Sequence, residues 1–141
     1  MQRLITLQGD SIPKLIGAFH LRFPDRELPR DRVVYCTLME FVPGPILAEV
    51  PISSMMDDEA QELWDQLYKS IKAVHANGVI KGLPYLRKSI WRMEEQKVVC
   101  TDFSGSRILD GNDTGSASHF RGEISSLYHQ FNAALNGDLF E

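Results

Sequence analysis

Between residues 55 and 76 the apolar side chains fall on one helical stripe, and this stripe limits the fold more than any other feature. Ala60, Leu63, Trp64, Leu67, Ile71 and Val74 recur at steps of three and four, with Tyr68 beside them. Ser54 followed by Asp57 fits a capping pattern, and Asp57, Asp58 and Glu59 suit the positive end of a helix dipole. Asn77-Gly78 supplies the left-handed residue that stops the helix. A helix from about Met55 to Ala76 runs roughly 33 Å at 1.5 Å per residue. A stripe of that length must be covered by the rest of the chain, so the helix is expected to be the spine of the core, with Trp64 and Tyr68 inside it.

The covering pieces are mostly strands. Ile12 to Phe19 reads as a strand whose start is set at an edge by Pro13, and Val33 to Met39 as a second, β-branched and apolar on both faces. The polar, proline-containing stretch Phe23 to Asp31 makes them a hairpin. Ser89–Met93 and Lys97–Thr101 form another around Glu94-Glu95-Gln96. Leu4 to Leu7 is a helix end or lead-in. Asp110 to Ser118 has loop chemistry, and Glu123 to Leu135 is a closing helix carrying Ile124, Leu127, Tyr128, Phe131, Ala134 and Leu135 at helical spacing, stopped by Asn136-Gly137. Helices and hairpins segregated in this way predict an α+β fold.

At 141 residues the chain is expected to be a single domain. A net charge of -4 with scattered basic residues argues against nucleic acid as the partner. The absence of a signal peptide and of a long apolar run predicts no membrane contact and a soluble protein of the cell interior, in the cytoplasm. Cys36 and Cys100, each inside an apolar run, are expected to be reduced thiols. No H-x-x-x-H, C-x-x-C or H-E-x-x-H spacing occurs, so no metal site is indicated.

Three further stretches, in order, resemble the protein-kinase family. Leu7-Gln8-Gly9 with Ile12-Pro13 and Gly17 is similar to the approach to the fourth strand of a kinase small lobe. Met39-Glu40-Phe41-Val42-Pro43-Gly44 resembles the hinge between lobes. His75 to Arg107 resembles the catalytic segment, in which a long helix leads to a catalytic loop and then a hairpin to D-F-G, here Asp102-Phe103-Ser104. The resemblance covers about residues 4 to 108. It implies a truncated kinase-like domain, with residues 1–44 as the end of the small lobe and its hinge and 45–141 as a shortened, mainly helical large lobe. The chain is too short for a complete two-lobed kinase, and the substrate-binding half would be missing.

The resemblance also implies that the chemistry is lost. The glycine-rich loop and the strand lysine have no counterpart. Where the family has His-Gly-Asp-Leu, this chain has Lys81-Gly82-Leu83-Pro84, so the base position falls on Leu83 or Pro84. The metal-binding asparagine falls on Lys88 or Ser89, and Lys88 would repel a cation. Asp102 alone matches; its ordinary alternative is to cap the turn at Ser104-Gly105-Ser106. Conventional kinase activity is not expected, nor is a cofactor, ATP and Mg²⁺ included. Two functions follow. The first is an inactive, pseudokinase-like protein acting through a protein partner or a homodimer. The second is a small-molecule biosynthetic enzyme using the former nucleotide cleft, with Lys81, Asp102 and Arg87 as its polar groups. Its ligand would lie against Met39, Glu40, Phe41, Val42, Leu83, Tyr85 and Phe103. Lys81 would be a cationic clamp or, if desolvated, a base, against the ordinary reading of a solvated or structural lysine.

Overall fold

The computed structural model describes residues 2–24, 31–82, 85–109 and 116–138. Its elements run β1 (Leu15–Phe23), β2 (Arg32–Met39), α1 (Asp57–Ala76), β3 (Val79–Ile80), β4 (Ser89–Arg92), β5 (Lys97–Cys100), β6 (Arg107–Ile108) and α2 (Ser116–Leu135), with short 3-10 turns between. The chain is α+β, and among the described residues its strands pair as three antiparallel two-stranded sheets, β1 with β2, β3 with β6 and β4 with β5.

The α1 stripe is the spine. Leu63, Leu67, Ile71 and Val74 are fully buried, against Trp91 of β4, Val98 and Cys100 of β5, and Leu127 and Phe131 of α2. Strand β5 lies against α1, and Ser70 in the middle of the helix donates its hydroxyl to the Val98 carbonyl at 2.6 Å. The Cys100 amide on the same strand donates to Ser11 O at 2.8 Å, tying the N-terminal turn to the core. Both cysteines are free thiols, Cys100 buried and Cys36 half-buried.

Several boundaries differ from those read in the sequence. Helix α1 begins at Asp57, because Ser54 closes a separate 3-10 turn, Ile52–Ser54. The cap is made instead by Glu59, whose carboxylate accepts the Met56 amide at 3.3 Å. Tyr68 is not a core residue: it is 37% exposed, with its ring beside Trp64 and the Lys72 ammonium. Trp64 packs against the core through Phe131, with the exposed Tyr128 ring edge-on to it. Strand β1 begins at Leu15, since Ile12 is folded into the core by a turn in which its amide meets Leu7 O. Helix α2 begins at Ser116, seven residues before Glu123, and Phe120 in that added part stacks on His75 at 4.5 Å. The expected loop thus gives way to helix at Ser116–Ser118, and its 110–115 part lies outside the described residues. The expected 23–31 turn lies mostly outside them too.

The β1–β2 hairpin stands apart from this core. Alternation sorts its side chains into two faces. Phe19, Leu21 and Phe23 lie beside Leu38, Cys36 and Val34 on the outer face, and every large side chain of that set is between 41% and 51% exposed. The other face carries His20, Arg22, Tyr35, Thr37 and Met39, and turns its Met39 end toward the core. Gly44 then brings the chain against β4: at φ +129 its Cα approaches the Trp91 carbonyl so closely that a Cβ would lie 2.1 Å from the oxygen. The Trp91 amide completes this contact by donating to Pro45 O at 2.9 Å.

Candidate functional site

Where α1 stops, Gly78 takes the left-handed conformation, φ +69, and the chain turns into β3, which pairs with β6. The next residue, Lys81, is completely buried, and its ammonium nitrogen has no hydrogen-bond partner among the described residues. The Nζ atom lies 5.5 Å from the centre of the Phe103 ring, a cation–π distance. Desolvation pushes its pKa down from the usual lysine range to about 8, partly offset by Cys100, Asp102 and Glu123. The Cys100 thiol beside it is pushed up by burial to about 11 and stays protonated.

Two carboxylates lie near Lys81, and both are already taken. Glu123 of α2 is buried and accepts from four donors: His75 Nε2, the amides of Lys81 and Gly82, and the Tyr85 hydroxyl. Burial works to raise its pKa, but the hydrogen bonds from His75, Gly82 and Tyr85 outweigh it and hold the carboxyl below its ordinary value. Burial and the Glu123 charge push the Tyr85 phenol far up, so it donates. Asp102 sits at φ +50 and accepts the Ser104 amide on Oδ1 at 3.0 Å, while Lys88 Nζ holds Oδ2 at 3.2 Å. The Ser104 hydrogen bonds foremost, then Lys88, bring the Asp102 carboxyl down to about 2. Asp102 therefore caps its turn and carries an ion pair on the oxygens that a metal would need. Among the described residues no three His, Cys, Asp or Glu side chains converge on one point.

A cavity of about 410 Å³ opens beside Asp102. Leu4, Met39, Val79, Phe103 and Ile108 give it apolar walls; Arg3, Thr37, Ser104 and Ser106 supply polar groups. The Ser106 hydroxyl donates to the Lys81 carbonyl at 3.0 Å, so Lys81 lies directly behind this wall. Gly82 packs on the same turn, and a Cβ there would come within 2.8 Å of Gly105 O.

Of the residues singled out in the sequence, Met39, Asp102 and Phe103 meet at this cavity, with Lys81 behind Phe103. The others are elsewhere. Phe41 is 88% exposed, Val42 is buried, and Glu40 pairs with Arg92 at 3.2 Å. Tyr85 is buried under Glu123, and Arg87 lines a second cavity beside Val50, Ile52 and Ala134. Leu83 and Pro84 lie outside the described residues. Of the ordinary reading, a solvated or structural lysine, the solvated half does not hold, because Lys81 is fully buried. Glu123 is the residue that sequence reasoning missed. Its signal was a carboxylate on the same stripe as Leu127 and Phe131, at steps of four, where an apolar side chain is the rule.

No protein-family model matches this chain, and no curated protein is significantly similar to it in sequence. Among the described residues no helix is long and apolar enough to cross a membrane.

Proposed function

We propose that the chain is a kinase-like domain without phosphoryl-transfer chemistry, acting as a protein-binding module whose outer hairpin face docks on a second copy of itself. The observation that carries this reading is the outer face of β1–β2. Five large apolar side chains, Phe19, Leu21, Phe23, Val34 and Leu38, each keep 41% to 51% of their surface in water. With aromatic side chains contributing 150–250 Å² when buried, such a face offers on the order of 400 Å². A contiguous apolar patch of that size is comparable with the largest that a typical monomer exposes, which is often functional. Two copies packed face to face would bury about 800 Å² from these side chains, rising toward the lower bound of specific interfaces with the flanking backbone. Among the described residues the face has no charged side chain until Arg32 at its end, so this part of it meets itself without repulsion. Loss of kinase chemistry is supported by the Lys88 ammonium on Asp102, where the family would hold Mg²⁺.

The test is sedimentation velocity over a concentration series, with Leu21→Lys and Val34→Glu as separate variants. The wild type should show a reversible monomer–dimer equilibrium that each variant shifts to monomer without changing the circular dichroism. A monomeric wild type at high micromolar concentration, or variants that dimerise as the wild type does, would overturn the reading.

A further inference from the structure

We propose that Lys81 is a covalent capture site: its amine condenses with an apolar aldehyde that bears a carboxylate and occupies the cavity bounded by Leu4, Met39 and Phe103. This inference is independent of the dimer reading of the hairpin's outer face, although Met39 of β2 lines the cavity.

Fully buried lysines are rare and are ordinarily paired. Lys81 is not, and its neighbours explain why. Asp102 is held by Lys88 and the Ser104 amide, while Glu123 is filled by His75, Tyr85 and two backbone amides. Cys100 is a neutral thiol. Asp102 and Glu123 still act on Lys81 through space and raise its pKa, but neither bonds its amine, and burial, with Lys88 adding to it, outweighs them. The surroundings thus raise the share of the neutral, nucleophilic amine, with the ammonium still the larger share at neutral pH. With a pKa near 8, about a quarter of the molecules carry a neutral Lys81 at pH 7.5, against about one in a thousand for an ordinary lysine.

The position fits a capture role. Lys81 is separated from the cavity by the wall that Phe103 and Ser106 form, the first against its Nζ and the second bonded to its carbonyl. Phe103 is half-buried, and a change of its rotamer would connect amine and cavity. The cavity selects the ligand: Leu4, Met39, Val79 and Ile108 accept an apolar or aromatic body. Arg3 spends one N–H on Leu109 O at 3.0 Å, and its guanidinium has further donors for a carboxylate. The step needs no oxidant or reductant. The Nζ lone pair forms a C–N bond to the aldehyde carbon, and the carbonyl oxygen takes up a proton. The carbinolamine then expels that oxygen as water, both amine hydrogens having been surrendered in the process, to leave a C=N imine.

The experiment treats the folded protein with 4-carboxybenzaldehyde and sodium cyanoborohydride at pH 7.5, then maps adducts by peptide mass spectrometry. Lys81 should be modified first, with an initial occupancy roughly tenfold above that of Lys14, Lys69, Lys72, Lys88 or Lys97, a conservative share of its advantage in neutral amine. The preference should vanish in urea, where all six lysines are alike. Benzaldehyde without the carboxylate, or the Arg3→Gln variant, should need about tenfold more aldehyde for the same occupancy. Lys81→Met should lose the fast adduct; if that variant does not fold, the wild-type map decides alone. Adducts spread over the exposed lysines with Lys81 unmodified, or a preference for Lys81 that survives in urea, would overturn the proposal.

Discussion

Replacing Glu123 by alanine should be the most damaging single polar substitution in this protein. The carboxylate, 6% exposed, ties the closing helix to the end of α1 and to Lys81, Gly82 and Tyr85 through four donors. Each buried donor left without a partner costs about 1–3 kcal/mol. The four do not add, because Gly82 is only half-buried and water enters the vacated space. The net loss is therefore about 3–5 kcal/mol, the range for breaking a buried charged pair. For a chain of this size that lowers the melting midpoint by roughly 10 °C. Urea titration followed by tryptophan fluorescence would read it, since Trp91 is buried and Trp64 half-buried. Glu123→Gln keeps the shape and one good acceptor and should lose about half as much. The pH dependence supplies a second check. The folded pKa of Glu123 is lowered from 4.5, so its stabilisation is fully present above pH 4.5 and is lost as pH falls through the lower, folded value. The wild type should lose stability more steeply below pH 4.5 than Glu123→Gln does. A Glu123→Ala loss under about 1 kcal/mol, with acid curves that superimpose, would refute the claim that this carboxylate holds the loop.

Three further outcomes follow from the geometry. Leu67→Ala should cost about 2–5 kcal/mol in chemical denaturation whereas Tyr68→Ala, one residue on and on the exposed side of α1, should cost less than about 1. Gly44→Ala should be destabilising or unfolded by circular dichroism, because its Cβ would collide with the Trp91 carbonyl backbone and its φ disfavours a side chain; Gly17→Ala, open to solvent, should fold normally. ATP with Mg²⁺ should give no rise in a thermal-shift titration, since Lys88 occupies Asp102; a metal-dependent rise that Asp102→Ala abolishes would overturn this.

The sequence by itself determined the local framework. The α1 stripe and its Asn77-Gly78 stop, both hairpins and the α+β class were legible because periodicity and turn chemistry act over a few residues. The site was legible only where it depended on neighbours in sequence: Asp102 two residues from the Ser104 amide that it caps is such a case. What the tertiary structure decided rests on contacts between distant residues. The start of α2 is fixed by Phe120 reaching His75, the role of Glu123 by donors more than 35 positions away, and the state of Lys81 by which carboxylates other groups had already claimed. A local window leaves Lys81 open between a solvated or structural cation and a desolvated base. Only the three-dimensional arrangement removes its water and its counter-ions together, because desolvation and pairing depend on what the whole fold places within a few ångströms.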